Sequence, residues 1–246
     1  MKTRKQFAFM TIVVSLMLLA ASSVWAQNAP VTIPSDWVIN GRTYAEWSAA
    51  WEQWSYSIPT AQHPLFDNGD CSVGQSGPVW FLGGKYCYNG GICAYTGVVR
   101  SCSVPSGKKL YVAILNGEDS ALEESVAENP GNELAQQIAS MRSYEDVSMS
   151  PASVYLWVDG APVPRLKDRF RVQSTAFGFS IPTDNLLAAV YPPGYNTFPT
   201  GTYFPAVDDG WYVMLPPLSP GHHTLRLGGN NGGFALDVTY HLNVTK

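Results

Sequence analysis

Few residues in this chain have both the type and the spacing that chemistry needs. Gly74-Gln-Ser-Gly-Pro78 approaches the G-x-S-x-G nucleophile elbow, but Pro78 stands where the last glycine belongs and no strand-to-helix turn follows. A tight loop is therefore the reading of Ser76. The histidines are His63, His222, His223 and His241. Neighbours on a strand point to opposite faces, so His222 and His223 cannot share one ion. His222, His241 and a carboxylate would make a weak metal site. Two solvated histidines are the plainer outcome, and no metal site is assigned. His223 falls on a core face, where a hydrogen-bonded histidine is ordinary.

Carboxylates come in adjacent pairs: Glu118-Asp119, Glu123-Glu124 and Asp208-Asp209. A glycoside-cleaving pair needs two carboxyls about 5–9.5 Å apart across one cleft, which adjacency alone does not supply. Asp119 suits a helix cap, Glu123-Glu124 a solvated face, and Asp209-Gly210 a turn. Asp208-Asp209 stands out because it closes an aromatic stretch. Tyr191, Tyr195, Phe198, Tyr203 and Phe204 lie there among Asn196, Thr197, Thr200 and Thr202. Tyr86, Tyr88 and Tyr95 form a second group. Rings among short polar side chains suit a sugar face or a protein partner, because the ring supplies area and the hydroxyl a wet handle. The alternative is a loop packed on itself. The candidate ligand-binding residues are Tyr191, Tyr195, Tyr203, Asp208, Asp209 and Trp211. No catalytic residue is assigned, and the chain carries no cofactor fingerprint: no glycine-rich phosphate loop, no haem-attachment pair, no metal-binding run.

The element that must position such residues is a helix beginning at Thr43. Thr43 and Glu46 form a capping box. Tyr44, Trp47, Trp51, Trp54 and Ile58 then recur at spacings of three and four, on one face, and Pro59 stops the helix. Each ring can bury roughly 150–250 Å². A stripe that broad predicts a sheet beneath it, and aromatics at helical spacing are core rather than a stacking platform.

Composition agrees. Of 246 residues only 14% are charged, while Gly, Pro, Tyr and Trp are plentiful, which favours turn-dense sheet over a helical bundle. Lys2, Arg4 and Lys5, the apolar run Phe7 to Ala21 and Val24-Trp-Ala26 read as a signal peptide over residues 1–26. No later run approaches the ~20 apolar residues of a spanning helix. Losing those three cations takes Lys+Arg from 15 to 12 against 19 Asp+Glu, a net charge of −7. That argues against a nucleic-acid partner and supplies no polybasic patch for a lipid surface. Cys71, Cys87, Cys93 and Cys102 lack zinc-site spacing and predict two disulfides. Cys87 and Cys93 bracket a turn signal and clasp it; Cys71 then pairs with Cys102.

Along the chain, strands are expected at Val79–Leu82, Val98–Val104, Leu110–Leu115, Val154–Val158 with a return to Ser174, and Phe177–Ile181. Asn116-Gly117 is expected to break the sheet before two accessory helices, Ser120–Ala127 and Asn132–Arg142. Tyr191 to Gly210 has no periodicity and reads as a long loop. Trp211, Val213 and Leu215 alternate into Pro216. A C-terminal hairpin centred between Asn230 and Asn231 would pair Leu227 with Phe234, Leu225 with Leu236 and His223 with Val238, leaving Arg226 and Asp237 as diagonal neighbours. The fold class is mainly β: a two-sheet, jelly-roll-like β-sandwich of one domain over residues 27–246, with the tryptophan helix against it.

Gly41-Arg-Thr-Tyr-Ala-Glu-Trp-Ser-Ala with Trp51-Glu-Gln-Trp54, Gln75-Ser-Gly-Pro-Val-Trp-Phe-Leu82, Cys102-Ser-Val-Pro-Ser-Gly107 and the block Asp208 to Thr224 resemble a group of secreted bacterial proteins of uncharacterised function. The resemblance covers most of the chain beyond residue 26. It implies a secreted or periplasmic location and a sheet-rich fold, and brings no activity with it. The expected function is an exported, non-catalytic binding protein that meets a glycan or cell-envelope partner through its aromatic loop. The alternative is a secreted hydrolase or lyase acting on a polymer, with Asp208, Asp209, Glu118 or His63 in a cleft.

Overall fold

The structure is a computed structural model and describes residues 29–89, 94–123, 133–150, 152–195 and 197–246. The signal-peptide reading of residues 1–26 lies outside the described residues, as do Cys93 of the expected clasp and the side chain of Tyr95.

Helix α1 (Tyr44–Ser57) begins as its capping box dictates. Thr43 N donates to Glu46 Oε2 at 2.8 Å and Glu46 N donates back to Thr43 Oγ1 at 3.3 Å. Ten strands follow among the described residues: β1 (Val79–Leu82), β2 (Ala94–Pro105), β3 (Lys109–Ser120), β4 (Ser153–Val158), β5 (Ala161–Pro162), β6 (Arg171–Gln173), β7 (Phe177–Ile181), β8 (Gly201–Leu215), β9 (Gly221–Asn230) and β10 (Ala235–Thr245). Helices α2 (Leu134–Met149), α3 (Leu166–Arg169) and α4 (Leu186–Val190) interrupt them.

The strands form two sheets. In the first the order is β1-β3-β8-β6, with β7 also on β8; in the second it is β2-β10-β9-β4-β5. Both sheets are mixed, because β1 pairs with β3, and β2 with β10, in parallel. This is a two-sheet β-sandwich with a few helices. The parallel pairs distinguish it from a jelly roll, whose strands run antiparallel.

The tryptophan stripe lies across β1, β3 and β8. Trp47 meets Phe81 and Tyr111, Trp51 meets Tyr212, and Trp54 meets Phe81. Trp47, Trp51 and Trp54 are all buried, and each indole N–H finds a carbonyl: Ile39 at 2.9 Å, Leu82 at 3.0 Å and Val73 at 3.2 Å. Tyr111 and Tyr212 face α1, so alternate residues such as Leu110, Val112 and Val213 face the other way. The second sheet and α2 cover that other face, with β3 in contact with β4, β9 and α2. The Cys71–Cys102 disulfide is present and ties the loop under α1 to β2 of the second sheet. No helix among the described residues is long and apolar enough to cross a membrane.

Several local expectations are corrected. Asn116-Gly117 does not break the sheet: β3 runs on to Ser120, pairing Asn116 with Gly210 and Gly117 with Asp209 on β8. These glycines mark close approach rather than turns. A Cβ on Gly117 would overlap the Glu145 carboxylate, and one on Gly210 would overlap Asn116. The helix expected over Ser120–Ala127 is absent where described, since Ser120 ends β3; residues 124–127 lie outside the described residues. The helix expected at Asn132–Arg142 is α2, which runs on to Met149. The return strand to Ser174 is instead β5, the short α3 and β6. The segment 201–210 is not loop but the first half of β8, buried from Pro205 onward.

The C-terminal hairpin pairs Leu227 with Val238, Leu225 with Tyr240 and His223 with Leu242. The expected register was therefore displaced by an even step, and an even step leaves every side chain on its own face. Arg226 and Asp237 remain diagonal neighbours and form an ion pair at 2.7 Å.

Candidate functional site

β1 is short. It pairs only with Lys109 to Val112 of β3, so among the described residues the edge of β3 beyond Val112 has no strand beside it. A register shift between Ala113 and Leu115 follows at once on the β8 side. A cleft of about 360 Å³ opens at this edge, within the range of small-ligand sites. Its walls come from α1, β3, α4, the segment Gly84 to Cys87 and the tip of the β9–β10 hairpin. Trp51, Leu65, Ile114, Leu186 and Leu187 give it an apolar lining. The polar lining is Glu52, Glu118, Glu123, Asn116, Tyr56, Tyr86, Tyr191 and Lys85.

The first carboxyl comes from α1. That helix is buried on nearly every side, including Ser48, Ala49, Ala50 and Ser55, so its mid-helix Glu52 is buried as well. Glu52 Oε1 accepts from Asn116 Nδ2 at 2.7 Å and lies 3.4 Å from the Tyr212 hydroxyl. Burial, then the neighbouring Asp208, pushes its carboxyl well above the usual range.

The second pair comes from β3 and the turn after it. Glu118 is half-buried and accepts a short hydrogen bond from the Tyr56 hydroxyl, one helical turn beyond Glu52. Glu118 Oε1 has no hydrogen-bond partner among the described residues. Burial, followed by the proximity of Glu123, holds the Glu118 carboxyl well above its normal value. Glu123 accepts from Ser120 Oγ and from the Tyr191 hydroxyl, both at 2.7 Å. Three carboxyls and three phenols thus share one cleft, and Lys85, its cation, pairs with Asp67.

The residues expected to bind ligand separate. Tyr191 lines the cleft, with its ring stacked on Tyr195 at 4.5 Å and on Phe198 at 5.3 Å. Tyr195 is exposed beside it. Tyr203 donates to the Pro199 carbonyl at 2.6 Å, as a self-packed loop would. Asp208, Asp209 and Trp211 are interior residues of β8. Asp208 is wholly buried behind Glu52 and accepts from the Tyr212 hydroxyl at 2.7 Å; burial raises its carboxyl to about 7. Asp209 points to the opposite face, held by Arg171 Nε and Nη2, each at 2.9 Å, and by Gln173 at 3.0 Å. Trp211 donates to the Lys167 carbonyl at 2.9 Å on that same side.

Other candidates resolve similarly. His63 is fully buried, its Nδ1 accepting from Leu65 N at 3.1 Å and its Nε2–H donating to the Ser55 carbonyl at 3.1 Å. Both nitrogens are thereby committed, and burial lowers its pKa to about 4. Ser76 is exposed in a loop. His222 and His241 are exposed, and among the described residues no group of three His, Cys, Asp or Glu is placed to hold a metal. Asp119 is a buried strand residue rather than a helix cap, Asp209-Gly210 is strand rather than turn, and Glu123 is buried rather than solvated.

Sequence reasoning missed Glu52 and Tyr56 as cleft residues, and Glu145 of α2 as a buried acid. The available signal was α1 itself: a helix with almost no polar face is covered all round, so its glutamate must point into something.

Fold and cleft together define a β-sandwich with an acidic, tyrosine-lined pocket at an open strand edge. No family model matches the chain, and no curated protein or solved structure matches it.

Proposed function

We propose that the chain is an exported binding protein that takes a neutral, hydroxyl-rich ligand, a glycan of the cell exterior, into the cleft beside the open edge of β3. The observation that carries this reading is the chemistry of the walls: Glu52, Glu118, Glu123, Tyr56, Tyr86, Tyr191 and Asn116 around an apolar floor. A protonated carboxyl and a phenol each donate and accept, which matches the hydroxyls of a sugar. The Tyr191–Tyr195 stack offers a ring face at the rim. Export is supported by the signal-peptide pattern of residues 1–26 and by the Cys71–Cys102 disulfide, a bond that persists in oxidising compartments.

The test is a glycan array probed with the chain lacking residues 1–26, followed by titration of any hit. Tyr191→Phe and Glu118→Gln should each weaken binding about 5- to 10-fold, the scale of one lost hydrogen bond. Absence of any glycan hit removes the reading.

One observation favours a second reading, a secreted hydrolase or lyase. Burial, then the neighbouring carboxyl of Glu123, raises the Glu118 carboxyl well above its usual range, the direction a general acid needs. Of the four residues first considered for catalysis, Glu118 alone lines the cleft. A polysaccharide-depolymerisation screen separates the readings: turnover abolished by Glu118→Gln in a folded protein would replace binding by catalysis.

A further inference from the structure

A different constellation lies at the other end of β9 from the hairpin tip that borders the cleft. The turn Asp159-Gly160 follows β4, and residues 216–220 lead from β8 into β9. Because β4 and β9 are paired neighbours, the two meet. Thr224 N donates to Asp159 Oδ1 at 2.8 Å, and Asp159 N donates to the Thr224 carbonyl at 2.8 Å, which locks the Asp159 turn onto β9. Asp159 Oδ2 then lies 2.7 Å from His223 Nδ1. On the far side of the ring, Nε2 lies 3.3 Å from Ser219 Oγ. The three groups stand in line: carboxylate, imidazole, hydroxyl. Beside them is a groove of about 500 Å³, with Pro30, Val31, Val158, Leu215, Pro217 and Leu218 on its walls together with Ser219, His223 and Asp159.

We propose that Ser219 is a nucleophile, with His223 as its general base and Asp159 as the residue that orients the ring, and that the groove receives the apolar acyl group of an ester. The required relations are a nucleophile–base hydrogen bond and a base–orienter hydrogen bond, recognised by geometry rather than by chain order. Here the order is Asp159, Ser219, His223. In the reaction Ser219 Oγ bonds to the ester carbonyl carbon while its proton passes to Nε2. The tetrahedral intermediate expels the alcohol, which takes that proton from Nε2. Water repeats the two steps on the acyl-serine, releasing the acid and restoring the hydroxyl.

The ring has a competing partner. Nε2 also lies 2.9 Å from the Ser219 carbonyl, so a doubly protonated ring donates to Asp159 and to that carbonyl at once. Partial burial works against this charge, but Asp159 and the carbonyl outweigh it and raise the imidazole above its usual pKa. Among the described residues, Asp159 is the charged group paired with the ring. When Nε2 loses its proton the carbonyl bond is lost, and Nε2 becomes an acceptor for the Ser219 hydroxyl. The neutral ring is the reactive form.

The experiment exposes the full chain to a fluorophosphonate and to p-nitrophenyl butyrate, from about pH 6 to about pH 9, spanning the ordinary imidazole range. Phosphonylation of Ser219 with loss of fluoride is expected, located by peptide mass spectrometry and accelerating as pH rises. Ser219 is exposed in the segment between β8 and β9, so Ser219→Ala should fold normally and lose the adduct. His223→Gln should slow labelling at least ~100-fold. Asp159→Asn keeps an oxygen for Thr224 N, and should slow labelling while changing its pH profile. Circular dichroism establishes folding for each variant. No adduct on Ser219 at any pH, or labelling of His223→Gln at the unaltered rate, overturns the proposal and leaves the three residues as a brace between two connecting segments.

Discussion

Glu118 on β3 and Asp208 on β8 stand directly opposite one another, two carboxyls at a cross-strand position where opposite charge or apolar contact is the stabilising choice. Glu52 reaches the same face from α1, and Asn116 and Tyr212 divide their donors between these acids. On the reverse of the same two strands Glu145 sits against Gly117, its carboxyl raised to about 8 by burial and then by Asp119. Burial raises the carboxyls of Glu52, Glu118, Asp208 and Glu145 alike, which favours their uncharged forms.

Protonated acids make stability depend on pH with an unusual sign. Asp208 rises from 3.8 to about 7 on folding and Glu145 from 4.5 to about 8. Between each pair of values the native state holds a proton that the unfolded chain has lost, so stability falls as pH rises through that window. Thermal unfolding followed from about pH 5 to about pH 8 should show a declining midpoint, with a slope of about 1.4 kcal/mol per pH unit for each such group. Glu145→Gln should flatten the decline. A midpoint that climbs over this range would mean these acids are ionised in the native protein.

Trp51 is 1% exposed and contacts Trp54 and Tyr212, with its N–H on the Leu82 carbonyl. Trp51→Ala should cost about 3–5 kcal/mol in denaturant unfolding. A near-neutral result would contradict the central place of the α1 stripe.

Arg100 is a buried cation with several simultaneous acceptors: Asp67, the carbonyls of Leu65, Gly83 and Gly84, and the Tyr240 hydroxyl. It binds the segment after β1 to the second sheet. Arg100→Met takes one donor from each of these groups, leaving Asp67 to Lys85, and should destabilise by about 3–5 kcal/mol. Arg100→Lys should recover only part of this, because an ammonium cannot serve the same fork of acceptors.

The Cys71–Cys102 disulfide closes a loop with a sequence separation of 31. Its reduction should lower stability by about 3–4 kcal/mol on the chain-entropy scale. Non-reducing peptide mapping should return Cys71 linked to Cys102; a Cys71–Cys87 peptide would refute the strand arrangement around α1.

What could be read from the sequence was what local physics controls. Thr43, Glu46 and the spacing from Tyr44 to Ile58 specify α1 without reference to the rest of the chain. Alternation along Leu225, Leu227, Val238 and Tyr240 fixed which residues face inward. The hairpin register escaped it, because the tip is set by side-chain bonds: Asn231 Oδ1 accepts from Phe234 N and Gly233 N, and Asn230 Oδ1 from Gly232 N. Pro205, Asp208, Asp209 and Gly210 looked like loop by composition, yet β8 is the strand that β3, β6 and β7 all pair with. The cleft was least legible. Its acids come from α1, β3 and the turn after β3, and nothing in their separate neighbourhoods records that β1 stops at Leu82 and leaves an edge open.

At position 117, the side chain that is missing has a partner that fills its place. The Glu145 carboxylate occupies the space a methyl group on residue 117 would need, with the Met149 methyl close behind it. The Glu145 carboxyl thus packs directly onto the β3 backbone at this point. A methyl group on residue 117 would make the Glu145 carboxyl swing aside, and a shorter residue 145 relaxes the demand for glycine. The two positions are therefore coupled through packing, and joint change at 117 and 145 is the trace this contact would leave across related genomes.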